Sequence, residues 1–249
     1  LCIAMCDRHY GVGADGVVLI ERSKKADARI RIFNRDGSES AMAGNCIRCT
    51  AKYLYDKNIC TKSSIAVDTV NGVKHMNVYT SEGKVTYVTV NMGKASLYGA
   101  DIPCTLYEGK IIGENVKIGG RDYKITCVSL GSPHSVVFFD RVEGLDIEDL
   151  GKKFLRSPIF PEGVNTEFVR VLDSSTIKMR VYEKVCGETF ACGTGACAAV
   201  IAACENGYCK KGTDVTVKLN GGDLVVNYTD DNVTLSGDAK LVYDGVTEY

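Results

Sequence analysis

Short runs in which apolar and polar residues alternate with period two dominate the chain. They predict strands at residues 17–21, 30–34, 64–70, 75–80 and 85–91 in the first half, and at 135–140, 167–171, 176–182, 214–219, 224–228 and 233–235 in the second. Asn71-Gly72 predicts a hairpin turn, and Asn220-Gly221 stands at the matching place in the second half. Two stretches break the alternation and predict helices, at 50–56 and 196–205. The second is so rich in Ala and Cys that burial on all sides is expected. An α+β fold follows, with two pseudo-symmetric domains, each an antiparallel sheet wrapped around a central helix. Residues 98–120 hold Pro103, several glycines and little periodicity, so the domain boundary is placed there. The expected domains are 1–105 and 106–249, with the last residues returning to the first.

An internal repeat supports the two halves. Residues 31–60 recur 149 positions later as residues 180–209 without a gap. Arg31 faces Arg180, Asn34 faces Glu183, Glu39 faces Glu188, and Cys60 faces Cys209. The informative difference is Ala43-Gly44-Asn45 against Cys192-Gly193-Thr194. One half brings a thiol to that place and the other a methyl.

Composition narrows the class. With 30 basic and 31 acidic residues and no long run of either sign, the chain has no electrostatic footprint for nucleic acid. No apolar run approaches the length of a bilayer span, and no signal peptide is read at Leu1-Cys2-Ile3-Ala4, whose abrupt opening suggests a start further upstream. The twelve cysteines sit largely within apolar patterns, which favours a reducing cytoplasm over a disulfide scaffold. Cys46-Ile47-Arg48-Cys49 lacks the second pair of a zinc ribbon and the strand-to-helix setting of a thioredoxin motif, so no metal is expected. The glycines at 11, 13 and 16 precede a strand rather than a helix, which argues against a dinucleotide loop.

Chemistry is suggested around Cys192. The run Ala191-Cys192-Gly193-Thr194-Gly195 puts a cysteine just before a glycine-led helix start, where free N–H groups and the helix dipole hold a carboxylate. The same field is expected to lower the thiol pKa and make thiolate available near neutrality. Two such starts, related by the repeat, would grip one amino-acid carboxylate from both sides. Backbone donors would stabilise the enediolate formed when an α-proton leaves, and acid/base groups on opposite faces would invert the centre. No cofactor is required.

The chain resembles the diaminopimelate epimerase family, cofactor-independent two-cysteine epimerases, along nearly its whole length. The resemblance is carried by Gly11-Val-Gly-Ala-Asp-Gly16, Phe33-Asn34-x-Asp36-Gly37-Ser38-Glu39, Gly44-Asn45-x-x-Arg48-Cys49, Pro133-His134, Val164-Asn165, Tyr182-Glu183, Gly187-Glu188-Thr189 and Ala191-Cys192-Gly193-Thr194-Gly195. It implies two β-roll-like domains with the active site in the cleft between them. It also implies a cytoplasmic isomerase, here a possible homodimer, converting LL- to meso-diaminopimelate for lysine and peptidoglycan synthesis. By the same resemblance Cys192 is a catalytic cysteine. Gly44, Asn45, Gly193 and Thr194 bind the reacting carboxylate, and Cys46 lies beside them. Asn34, Asn165 and Glu183 hold the distal end, while His134 and Glu183 set the protonation of the thiols.

The sequence departs from the family pattern at four places. The second catalytic cysteine belongs at Ala43, where repeat and resemblance independently point to a missing thiol. A methyl transfers no proton, so the chain is read as an inactive or trapped variant, or as one working with a single thiol. Cys46, one helical turn away, is a poor substitute. Lys184 replaces an arginine that grips the distal carboxylate, and Ser132 replaces an asparagine of the same pocket. These two changes fit a racemase for another polar amino acid, such as histidine, and loss of the thiol fits a non-catalytic amino-acid-binding homologue. The family's N-terminal Gly-Asn-Asp-Phe strand has no counterpart in the 249 residues.

Overall fold

The computed structural model describes residues 1–40 and 43–247, which divide into two compact units. The first comprises residues 1–91 and those from 236 onward; the second runs from Met92 to Leu235. The division falls upstream of the 98–120 segment. Residues 96, 99 and 111 are hydrogen-bonded to 129, 109 and 97, so the glycines there shape turns inside the second unit.

The first unit begins with a short helix α1 (Cys2–Cys6), followed by β1 (Gly16–Glu21), β2 (Ala28–Asn34) and β3 (Glu39–Ser40). Helix α2 (Gly44–Asp56) leads to β4 (Ser64–Thr69), β5 (Gly72–Ser81) and β6 (Lys84–Gly93). The strand order is β1-β2-β4-β5-β6, with β3 paired to β2. Neighbours are antiparallel except β2 and β4, which run parallel because α2 carries the chain across between them. Helix α2 packs on β1 and β5 and buries a stripe of Ile47, Arg48, Ala51 and Leu54.

In the second unit β7 (Glu114–Ile118), β8 (Arg121–Ser129) and β9 (Pro133–Phe138) precede α3 (Ile147–Leu155). After them come β10 (Asn165–Asp173), β11 (Thr176–Glu183), β12 (Gly187–Thr189), α4 (Gly193–Glu205), β13 (Asp214–Leu219), β14 (Gly222–Tyr228) and β15 (Val233–Gly237). The strand order is β15-β14-β13-β11-β10-β9-β8-β7, with β12 on β11. Parallel pairs occur at β9/β10 and β11/β13. The latter is joined through α4 as β2/β4 is joined through α2, so the repeat in sequence is a repeat in topology. Each copy also keeps one ion pair. Arg31 reaches both oxygens of Glu39 at 2.9 and 3.0 Å, and Arg180 reaches both of Glu188 at 2.8 and 3.0 Å.

Helix α4 packs against β8, β9, β10, β11, β13 and β14, and every residue from Gly195 to Cys204 is buried. Small side chains allow strands to approach on all sides, as the Ala-rich run anticipates. Several elements go beyond the sequence-based expectation: the short α1, β3 and β12, the hairpin β7/β8, which lies within or beside the stretch read as a boundary, and α3. The signal for α3 is present in Asp146, which caps Asp149 N–H at 3.0 Å, and in the spacing of Ile147, Leu150 and Phe154. Gly151, a poor helix former, interrupts it.

That glycine has a packing reason. A Cβ on Gly151 would fall within the ring of Tyr182 on β11, beside the aromatic cluster of Phe154 and Phe168. Gly151→Ala is therefore expected to cost about 3 kcal/mol or more, at the upper end for overpacking. The check is a lowered urea midpoint, and an unchanged midpoint would mean that α3 yields freely.

Candidate active site

Of the residues singled out from sequence, Asn34, Ala43, Gly44, Asn45 and Cys46 lie in the first unit. Ser132, His134, Asn165, Glu183, Lys184, Cys192, Gly193 and Thr194 lie in the second. The repeat extends to the backbone conformation of the two helix starts. Ala43 is the N-cap of α2, with φ −148° and ψ 106°, and Cys192 is the N-cap of α4, with φ −131° and ψ 117°. The predicted helix starts at residues 50 and 196 therefore move back to Gly44 and Gly193. In both helices the cap carbonyl accepts the first intrahelical bond, Ala43 O from Ile47 N at 3.1 Å and Cys192 O from Ala196 N at 2.9 Å. Helix geometry then leaves the N–H groups of Gly44 and Asn45, and of Gly193 and Thr194, outside the ladder. Neither first turn carries an acidic side chain, so nothing of the helix's own occupies these donors as a carboxylate would.

The caps differ in what they add. Cys192 Sγ accepts from Gly195 N–H at 3.4 Å and lies 3.5 Å from Thr194 Oγ1, whereas Ala43 has no side chain with which to cap. Around Cys192 the second unit assembles a polar layer. Burial raises the Glu183 carboxyl above its ordinary pKa, against the opposing hydrogen bond from Thr189 Oγ1 at 2.6 Å. His134, fully buried on β9, sits between Ser132 Oγ at 3.0 Å from Nε2 and Glu167 Oε1 at 2.7 Å from Nδ1. Glu167 is also fully buried, and its Oε2 has no partner among the described residues.

One expectation is reversed. The helix start was to lower the Cys192 pKa, yet it is raised well above its ordinary value. Burial is the largest cause, and the nearby carboxylates Glu183 and Glu167 add to it. The hydrogen bonds from Thr194 and Gly195 pull the other way and lose, because a macrodipole supplies only about half a charge. Without substrate, Cys192 rests as a thiol. Cys104 shows the opposite setting, where a hydrogen bond from Cys127 draws its thiol down to about 6. Alkylation at pH 7 is therefore expected to label Cys104 well before Cys192, as mass spectrometry of the two peptides would report. The reverse order would mean that the buried carboxylates do not govern Cys192.

The remaining predicted residues are placed by local bonds. Asn165 ties β10 to its neighbours, donating from Nδ2 to Pro133 O at 3.1 Å and accepting from Lys184 N at 2.9 Å. The Lys184 side chain is exposed. Asn34 closes the turn after β2 through Ser38, and Asn45 Oδ1 accepts from Arg48 at 2.8 Å. Cys46 turns to a groove of about 600 Å³ lined with Val18, Cys49, Tyr53 and Leu241, and burial pushes its thiol up to about 11. That placement does not favour it as a stand-in for a thiol at position 43. Sequence reading missed Glu167. Its signal is a charge on a strand buried on both faces from Thr166 to Val169.

No group of His, Cys, Asp and Glu suited to a metal occurs among the described residues, and no helix among them is long and apolar enough to cross a membrane. A model of the family described as diaminopimelate epimerase matches residues 1–98 and 126–242. A diaminopimelate epimerase of Pelotomaculum thermopropionicum is 45% identical over 250 residues, covering 100% of this chain and 89% of that protein. One of Acetivibrio thermocellus is 43% identical, covering 96% and 85%. Among solved structures, a hydroxyproline epimerase from Agrobacterium vitis with bound trans-4-hydroxy-L-proline superposes with a TM-score of 0.70 at 16% identity, over 95% of this chain and 76% of that one. A Bacillus anthracis phenazine biosynthesis protein of the PhzF family gives 0.64 at 16% identity, over 91% and 82%. At these identities the structural likeness concerns the fold alone.

Proposed function

The chain belongs to the diaminopimelate epimerase family, and from that premise we propose that Cys192 moves the α-proton of diaminopimelate while the two glycine-led helix starts hold its carboxylate. The family is one of isomerases, and its members' name supplies the substrate. The observation that carries the reading for this chain is the matched pair of N-caps, Ala43 and Cys192, each opening a helix whose first N–H groups lie outside the intrahelical ladder and point where an anion binds. Removal of an α-proton leaves charge on the carboxylate oxygens, and fixed backbone donors stabilise that charge without reorganising. In this reading Gly44 and Asn45 serve on one side and Gly193 and Thr194 on the other. Asn34, Asn165, Glu183, Lys184 and Ser132 recognise the distal end, in a cytoplasmic enzyme of lysine and peptidoglycan synthesis.

A thiol and a thiolate on opposite faces of the carbon would invert it, one accepting and the other returning a proton. This chain has sulfur at one cap only. Its expected activity is exchange of the α-hydrogen with solvent on the Cys192 face, with little inversion. Because the Cys192 pKa is raised, the thiolate that must accept the proton is scarce at neutrality. Its fraction grows tenfold per pH unit below the pKa, so exchange is expected to rise steeply with pH. Proton NMR in deuterated water, with LL- and meso-diaminopimelate compared against histidine and other amino acids, tests both substrate and pH dependence. Faster exchange with histidine would favour the altered distal residues Lys184 and Ser132 as determinants of a different substrate. Tight binding without exchange of any amino acid would make the chain a binding protein.

A further inference from the structure

The geometry points to Glu167 as a positioning residue that holds the His134 imidazole in the tautomer protonated at Nδ1 and leaves Nε2 as the basic nitrogen facing Ser132. His134 and Glu167 stand on the parallel strands β9 and β10, whose register sets Asn165 opposite His134 and Glu167 opposite Val136. The two side chains thus lie diagonally on one face. Nδ1 meets Oε1 at 2.7 Å with both side chains fully buried, while Nε2 meets Ser132 Oγ at 3.0 Å. A carboxylate is the stronger acceptor, so Nδ1–H donates to it and the Ser132 hydroxyl donates to Nε2.

Stability alone is a poor reason for this pair. A buried carboxylate whose Oε2 lacks a partner among the described residues costs free energy that an apolar side chain of similar volume would not. The carboxylate also lies against the catalytic turn. A hydrogen of Gly195 is all that separates it from Cys192, since a Cβ at that position would sit 2.7 Å from Glu167 Oε1 and 3.3 Å from Cys192 Sγ. The other ionisable groups whose charge bears on this layer are Glu183 on β11 and Cys127 on β8. With Nδ1 committed to Glu167, Nε2 is the nitrogen that exchanges a proton through Ser132 toward the site. The inference rests on the reading of Cys192 as an acid/base group.

The test begins with the protein as it stands. Nitrogen-15 NMR of labelled histidine is simple in a chain with three histidines, and His134→Asn identifies the signal. In the neutral ring Nδ1 is expected to carry the proton, although free histidine prefers it on Nε2. Glu167→Gln is expected to relax that bias and to speed alkylation of Cys192, by about tenfold for each unit by which the thiol pKa falls. In the Ala43→Cys background, at alkaline pH where thiolate no longer limits exchange, it is expected to lower kcat roughly tenfold or more at unchanged KM through loss of the oriented His134, with partial rescue by Glu167→Asp. A wild-type His134 protonated at Nε2 overturns the inference even if no variant folds. So does a folded Glu167→Gln protein with unaltered tautomer and alkylation. The NMR and alkylation readings need no substrate, so their failure is separable from failure of the proposed function.

Discussion

Ala43→Cys is expected to convert slow, one-faced hydrogen exchange into inversion of the α-carbon, with a gain of about 10²-fold or more in the rate of LL- to meso-interconversion. The magnitude is that of adding a positioned general acid or base to a site that lacks one. The place is prepared for it. Ala43 caps α2 with extended backbone angles within 20° of those of Cys192, and it precedes Gly44 as Cys192 precedes Gly193. A cysteine there needs no change of backbone, and its sulfur gains the chance to accept the N–H of Cys46 as Cys192 Sγ accepts that of Gly195. Ala43 is only half-buried, unlike the buried Cys192. Chiral chromatography of the product, together with deuterium incorporation, measures the gain. Rates equal to those of the parent chain would show that the second acid/base group of this protein does not stand at position 43.

The two N-caps were visible in the sequence because a gapless repeat forces equivalent residues into equivalent backbone, and a glycine-led helix start is a local signal. Burial of α4 was visible because Ala and Cys leave no polar face. Less was legible where local and tertiary signals disagree. In α3, Gly151 weakens the helix pattern and is present only because Tyr182 occupies the space of a side chain. The β7/β8 hairpin was hidden by glycines that serve as turns within a unit. The charge state of Cys192 was misjudged for a different reason. Sequence displays the helix dipole beside the thiol, whereas the opposing terms, burial and the carboxylates of Glu183 and Glu167, come from strands distant in the chain. Glu167 itself reads as one polar residue in a strand until its neighbours on β9 and α4 are known.

Cys192→Ala in the chain as it stands is expected to abolish the remaining hydrogen exchange, a loss of about 10²- to 10⁴-fold. Removing the sulfur leaves small residues at both caps and the carboxylate donors intact, so substrate binding, followed by calorimetry, should persist. The fold should persist as well, because the capping bond lost, Gly195 N–H to Sγ at 3.4 Å, has a thiol sulfur as its weak acceptor and a net contribution of at most about 1 kcal/mol. The informative comparison is the double variant Ala43→Cys/Cys192→Ala, which moves the single thiol from one cap to the other. If the caps flank opposite faces of one carbon, the parent chain and the double variant exchange the α-hydrogen of opposite configurations at that centre, and neither inverts it. Exchange of the same configuration by both would mean that the two helix starts do not face a common α-carbon, and the two-sided reading of the repeat would fail.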